Sequence, residues 1–163
     1  MPGNVKAVPE GFTTITAQLT IENCQAAIDW YKNALGAEVI GDIARGPDGK
    51  IMHALLKVGT SRLMVNDPVM GNKGPKALGG SPASLWLYVN DCDASHKKAM
   101  AAGGARENMP PMDQFWGDRM SQITDPHGYI WSFATHKEDL TPQEIEKRGK
   151  EFFAKMGAGA PKK

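Results

Sequence analysis

Cysteine is scarce: the 163 residues hold two, Cys24 and Cys92, far apart and outside any Cys-x-x-Cys or zinc-type spacing. This excludes a disulfide-stapled scaffold and points to a reducing compartment, with the cytoplasm as the default. Charge of one sign is missing too, with Lys plus Arg at 19 against Asp plus Glu at 18. A nucleic-acid or membrane-surface role therefore has no electrostatic footprint, and partners are expected to be small or neutral. No apolar run approaches the roughly 20 residues of a membrane span, and the opening MPGNVKAVPEGF lacks the apolar stretch of a secretory leader. A Gly-x-Ser-x-Gly elbow, a Gly-rich phosphate loop and a paired-carboxylate constellation are absent as well. What remains is a chain of the right length to bury one core as a single domain.

What is present is a repeat. Sliding the chain by 68 residues lays LTIENCQAAIDWYKNALGAE over LYVNDCDASHKKAMAAGGAR, so that Leu19 meets Leu87, Cys24 meets Cys92, and Gly36 meets Gly104. Each segment reads as a strand, an Asn or Asp suited to cap a helix, a helix, and a glycine suited to a left-handed stop. The same shift sets KIMHALLKV and SRLMVND over DRMSQITDP and YIWSFAT. Strands are predicted at about 13–20, 37–45, 50–58, 61–67, 83–90, 105–113, 118–124 and 129–136, and helices at about 24–35 and 92–103. The modules span about 12–68 and 82–138; residues 69–81, rich in Gly and Pro, form a linker that could lie over a pocket. In DLTPQEIEKRGKEFFAKM, Thr141 with Glu144 makes a capping box and Pro142 suits the first helical turn. A terminal helix is predicted there, docking through Phe152 and Phe153 on its own body or on a second subunit, with the tail fraying from Gly157.

The repeat, the phrase AIDWYKNALGAEV and the phrase DPHGYIWSFATHKED resemble the glyoxalase and bleomycin-resistance group of the vicinal oxygen chelate superfamily, over about residues 12–140. PDGKIMHALLKVG and QFWGDRMSQITDPHGYIW resemble a glyoxalase-like subgroup whose members mostly lack an assigned reaction. The resemblance implies an α+β fold of two tandem βαβββ modules forming an incomplete barrel around a cup, and a homodimer that completes or flanks it. In metal-dependent members, four side chains on the first and last strand of each module hold a divalent ion. Those positions fall here on Thr16, Met64, Ser84 and Ser132, two pairs that again differ by 68. Hydroxyls and a thioether are poor ligands for Zn, Ni, Mn or Fe, so no metal and no cofactor is expected.

Strand alternation places Leu85, Leu87 and Val89 under the helices and turns Ser84, Trp86 and Tyr88 to the cup, together with Thr16, Gln18, Met64, Asn66 and Ser132. That lining is aromatic and amphipathic, as in small-molecule pockets, although filler side chains in a collapsed cup would read the same way. Phe115, Trp116 and Arg119, with Asp118, are candidates for a pocket rim with an anion-binding arginine; a structural ion pair at a turn is the alternative. Arg62 reads as a solvated strand residue. His53, His96, His127, His136, Cys24 and Cys92 all have simpler structural readings. The first functional expectation is a metal-free protein that binds an amphipathic or aromatic small molecule, to sequester or carry it. The alternatives are a superfamily enzyme of unknown substrate, either a lyase, an isomerase or a dioxygenase, with a metal-free form working through His53, Tyr88 or Asp118 left open by the missing ligands, and an accessory domain with a vestigial cup.

Overall fold

Strands form where apolar residues alternate, and the way they pair decides which faces stay open. The computed structural model describes residues 5–159. In chain order it contains β1 (Ala17–Thr20), α1 (Cys24–Leu35), β2 (Glu38–Arg45), β3 (Ile51–Val58), β4 (Ser61–Asn66), α2 (Pro75–Leu78), β5 (Ser84–Tyr88), α3 (Cys92–Ala101), β6 (Arg106–Asp113), β7 (Asp118–Thr124), β8 (Ile130–His136) and α4 (Pro142–Gly159). The expected α+β architecture forms: two sheets of one strand order, β1-β4-β3-β2 and β5-β8-β7-β6. In each, the outer pair β1–β4 or β5–β8 is parallel and the rest antiparallel. The two sheets stay open and separate.

Pairing repeats with the sequence. Gln18 opposite Met64 recurs 68 residues later as Trp86 opposite Ser132, and Leu19 opposite Val65 as Leu87 opposite Phe133. The third strands break that shift. Ala54 faces Val65, whereas Ser121 faces Phe133, so the β7–β8 connection is one residue longer and the offset there is 67. Because side chains alternate, a one-residue offset reverses the face assigned to each β7 residue. Arg119 thus lies on the helix side, within reach of Asp93 on α3, and Asp118 on the opposite face beside His136.

The core lies on the helix side of both sheets. Leu19, Leu56 and Val65 from the first, with Ile123, Trp131 and Phe133 from the second, join Ile28 and Tyr31 of α1 and Ala99 of α3 in one buried cluster. The modules therefore meet through α1 packed on α3. At this junction Asp125, only 4% exposed, accepts from Tyr31 Oη (2.8 Å) and Trp131 Nε1 (2.9 Å) through one oxygen. Its other oxygen accepts from the backbone N–H groups of His127 and Tyr129 at 2.8 and 2.9 Å. Trp30 Nε1 donates to the Gly103 carbonyl and Tyr129 Oη to that of Thr20, which adds two more ties between modules.

Several local expectations change. β1 starts at Ala17 rather than at residue 13, because Thr13 donates its hydroxyl to the Ile15 carbonyl (2.6 Å) and bends the chain before the strand. Thr16 accordingly precedes β1. Asp91 caps α3 through Ala94 N (2.9 Å), but Asn23 takes a left-handed conformation (φ 59°) and caps nothing; Asp67 Oδ1 accepts from Cys24 N instead. The linker contains the short α2, whose Pro75 packs against Gly128, where φ is +96° and an added Cβ would sit 2.8 Å from Pro75 Cβ. The predicted capping box of α4 forms, with Thr141 N donating to Glu144 Oε2 at 2.8 Å. Helix α4 continues through Gly159, past the predicted fray point; the remaining tail, 160–163, lies outside the described residues.

Removing the Asp125 carboxylate would strand the Tyr31 and Trp131 donors in the core. Each orphaned buried donor costs about 1–3 kcal/mol, so Asp125→Ala should lower unfolding free energy by at least ~2 kcal/mol in urea titration, while the surface change Lys50→Ala should not. An Asp125→Ala midpoint equal to wild type would show that this junction contributes little.

Candidate functional site

The helix-distal face of the second sheet is built by cross-strand neighbours. Trp86, Ser132 and Gln122 form one row, Tyr88, Ala134 and Met120 the next, and His136 with Asp118 a third. Trp86 is 43% and Tyr88 67% exposed, an aromatic pair with ring centroids 6.3 Å apart. Ser132 is buried and accepts from Gln122 Nε2 at 3.2 Å. The first sheet presents a polar counterpart: Gln18 Nε2 donates to Asn66 Oδ1 (2.9 Å), and Asn66 Nδ2 donates to the Asp67 carbonyl (2.8 Å).

Asp118, 3% exposed, is the hub of the second face. Its Oδ2 accepts from Tyr88 Oη (3.0 Å) and Trp116 Nε1 (3.1 Å), while Oδ1 faces His136 Nδ1 at 2.8 Å. The other His136 nitrogen faces Asp139 Oδ1 at 3.0 Å. Donation to Asp118 pushes the Tyr88 phenol above its ordinary range. His136 is likewise raised, first by Asp139 and then by Asp118, because both ring nitrogens meet carboxylates that favour the imidazolium.

Where β5 leaves an edge unpaired, a groove of about 630 Å³ opens between the modules. Ala17, Leu35, Leu87, Arg62, Trp86 and Tyr88 are among the residues that line it. Arg62 is not the solvated residue its position predicted: it is partly buried, its guanidinium lies 5.9 Å from the Phe12 ring centroid, and Nη1 is buried with no hydrogen-bond partner among the described residues. Of the ten residues expected to share a site, Trp86 alone lines this groove. Gln18, Met64, Asn66 and Ser132 sit on the helix-distal faces, Ser84 is exposed at the start of β5, and Thr16 precedes β1. Trp116 reaches the site only through Asp118. Phe115 is packed by Phe152 and Phe153 of α4, both at 5.6 Å between centroids, so the terminal helix docks on its own chain. Arg119 is held by Asp93 (Nη2 to Oδ1 2.8 Å) and Asp113 (Nη1 to Oδ1 3.1 Å), as the structural alternative anticipated. The linker lies on the β7–β8 turn rather than over the groove. Arg62 and Leu35 were missed because groove lining depends on how the modules meet, which strand periodicity does not encode.

The four positions that the family resemblance assigns to metal ligands hold two serines, a threonine and a methionine, a donor set that does not fit a divalent transition metal. Ser132 Oγ is moreover engaged by Gln122.

The sequence model of the Glyoxalase/Bleomycin resistance protein/Dioxygenase superfamily matches residues 13–133. The chain belongs to this superfamily. An uncharacterized protein of Mycobacterium bovis is 36% identical over 137 residues, 81% of this chain and 89% of that one. Among solved structures, TioX of Micromonospora sp. ML1 is similar at 26% identity and a TM-score of 0.59, covering 79% of this chain and 100% of that one. A Pseudomonas aeruginosa protein is similar at 26% identity and a TM-score of 0.61, covering 77% and 99%. Superfamily membership brings the fold, and with it no assigned reaction. Among the described residues, no helix is long and apolar enough to cross a membrane.

The raised His136 has a definite consequence for pH dependence. A histidine whose folded pKa exceeds its ordinary 6.5 contributes stability that is complete below 6.5 and is lost as pH rises through the folded value. NMR titration should place the His136 midpoint above 6.5, and Asp139→Asn should lower it. His136→Gln should destabilise the protein at about pH 5 and much less at about pH 9. A midpoint at or below 6.5 would mean the two carboxylate contacts do not persist in solution.

Proposed function

We propose that the chain is a metal-free small-molecule-binding protein of the glyoxalase/bleomycin-resistance type, taking an amphipathic, aromatic ligand against β5 to sequester or carry it. The observation that carries this reading is the exposed pair Trp86 and Tyr88 at the edge of a groove of about 630 Å³. Large aromatic rings left open beside a concavity favour a flat apolar partner, and a few polar groups around them orient it. The Thr16, Met64, Ser84 and Ser132 set argues against a catalytic ion by its donor chemistry. A second copy of the chain covering the open helix-distal faces belongs to the same proposal, as does a common origin for the two modules. Both cysteines are free and buried, which supports a reducing cytoplasm.

A metal-free enzyme is the second reading, favoured by the hydrogen-bonded chain from Tyr88 through Asp118 to His136, a possible route for acid–base chemistry. The two readings differ in turnover rather than in where the ligand lies.

Elemental analysis after exposure to Ni, Zn, Mn and Fe(II) and exhaustive desalting should find no stoichiometric metal. Metal retained by wild type and lost in Ser132→Ala would overturn the metal-free reading. Calorimetric titration with β-naphthol should show binding that weakens about tenfold in Trp86→Ala through lost ring stacking. Because Trp86 is 43% exposed, its truncation should cost less stability than the ~3–5 kcal/mol of a buried aromatic.

A further inference from the structure

We infer that Asp118 is a positioning residue that makes Tyr88 a hydrogen-bond acceptor toward the ligand, so that the site selects aromatic molecules carrying an O–H or N–H donor. This deepens the proposed function and rests on it. The argument starts from the directionality of each group. An indole N–H can only donate, and Trp116 Nε1 lies 3.1 Å from Asp118 Oδ2. That oxygen is therefore an acceptor in this arrangement. Tyr88 Oη lies 3.0 Å from the same oxygen, and its one proton points there. The second carboxylate oxygen is occupied by His136 Nδ1 at 2.8 Å.

Asp118 is 3% exposed, so solvent does not compete for it, whereas Tyr88 is 67% exposed and lines the groove beside Trp86, which leaves its remaining lone pairs open to a partner. A phenol whose proton is already committed offers nothing to an ether or carbonyl oxygen at that point. It offers a strong acceptor to a hydroxyl, amine or amide N–H, polarised further by the carboxylate behind it. Trp86 supplies the stacking surface and Tyr88 the selection. Arg62, also on the groove, is a donor that would draw anionic probes for an unrelated reason, so the test has to use neutral molecules.

β-Naphthol and its methyl ether are such a pair, alike in ring and differing by a donor proton. Calorimetry on the full chain should find the naphthol roughly three- to tenfold tighter, the span of one net hydrogen bond. Tyr88→Phe, at an exposed position, should bring the naphthol-to-ether affinity ratio to about one. Asp118→Ala removes the acceptor behind Tyr88 and frees the phenol proton, so the ratio should fall towards one or invert; Asp118→Asn, whose amide oxygen has to meet the Trp116 indole and so still accepts from Tyr88, should keep the wild-type ratio. Equal affinity of wild type for the two probes, or a preference that survives in Tyr88→Phe, would overturn the inference and leave ligand binding intact. Failure of both probes to bind would instead overturn the ligand-binding reading beneath it.

Discussion

Asp125 is a carboxylate in the core that pairs with no cation among the described residues and is held by four donors that come from both modules. A buried charge survives only where hydrogen bonds replace its water, and here two backbone N–H groups, a phenol and an indole do so. The arrangement pushes the Tyr31 phenol well above its ordinary range, by burial first and by Asp125 next. Because Tyr31 belongs to α1 while Trp131 belongs to β8, the carboxylate fixes the first module's helix onto the second module's sheet. Everything else about exposure follows. With the helices turned inward to a shared core, the helix-distal faces turn outward, and the edge of β5 is left beside the groove.

The candidate site uses the same chemistry on the opposite face. Asp118, like Asp125, gathers a tyrosine hydroxyl and an indole N–H on one oxygen. The difference lies in the tyrosine. Tyr31 is wholly buried and its hydrogen bond serves packing, whereas Tyr88 is mostly exposed and its hydrogen bond decides what the hydroxyl offers to a partner. Asp118 also links the site to the terminal helix: Trp116 donates to it, and the adjacent Phe115 lies against Phe152 and Phe153. Arg148 pairs with Glu138 at 2.9 Å and adds an ionic tie to the same helix.

Much of the fold was legible because it rests on periodicities. The sequence of strands and helices along the chain, the inward face of Leu85, Leu87 and Val89, and the outward face of Trp86 and Tyr88 follow from alternation and from the 68-residue shift, whereas the sheet pairing came only from the family resemblance. What escaped the sequence was set by single-residue and long-range terms. Asp118 and Arg119, grouped as one rim by the sequence, lie on opposite faces of β7, since a strand has period two. Asn23 and Asp91 are equivalent by the repeat, yet only Asp91 caps its helix, because Asp67 already accepts from Cys24 N. Phe115, a candidate for the pocket rim in the sequence, is met by α4 instead. No local pattern distinguishes a ring that waits for a ligand from one that waits for a helix forty residues on.

The four positions tied to metal in related proteins show why membership in this superfamily does not carry a reaction. Stability here comes from the helix side, where Leu19, Leu56, Val65, Ile123 and Phe133 are buried against α1 and α3. Thr16, Met64, Ser84 and Ser132 belong to none of that cluster. Exchanging ligands for hydroxyls at such positions leaves the apolar burial that holds the modules together untouched. The constraint on them is chemical, not architectural, so one scaffold tolerates a metal site or its absence with the same strand order. What this chain retains at the equivalent rows is an aromatic ring, a second ring with a polarised hydroxyl, and a carboxylate fixing that hydroxyl's proton. Those groups present a ring face and a hydroxyl of fixed hydrogen-bond direction.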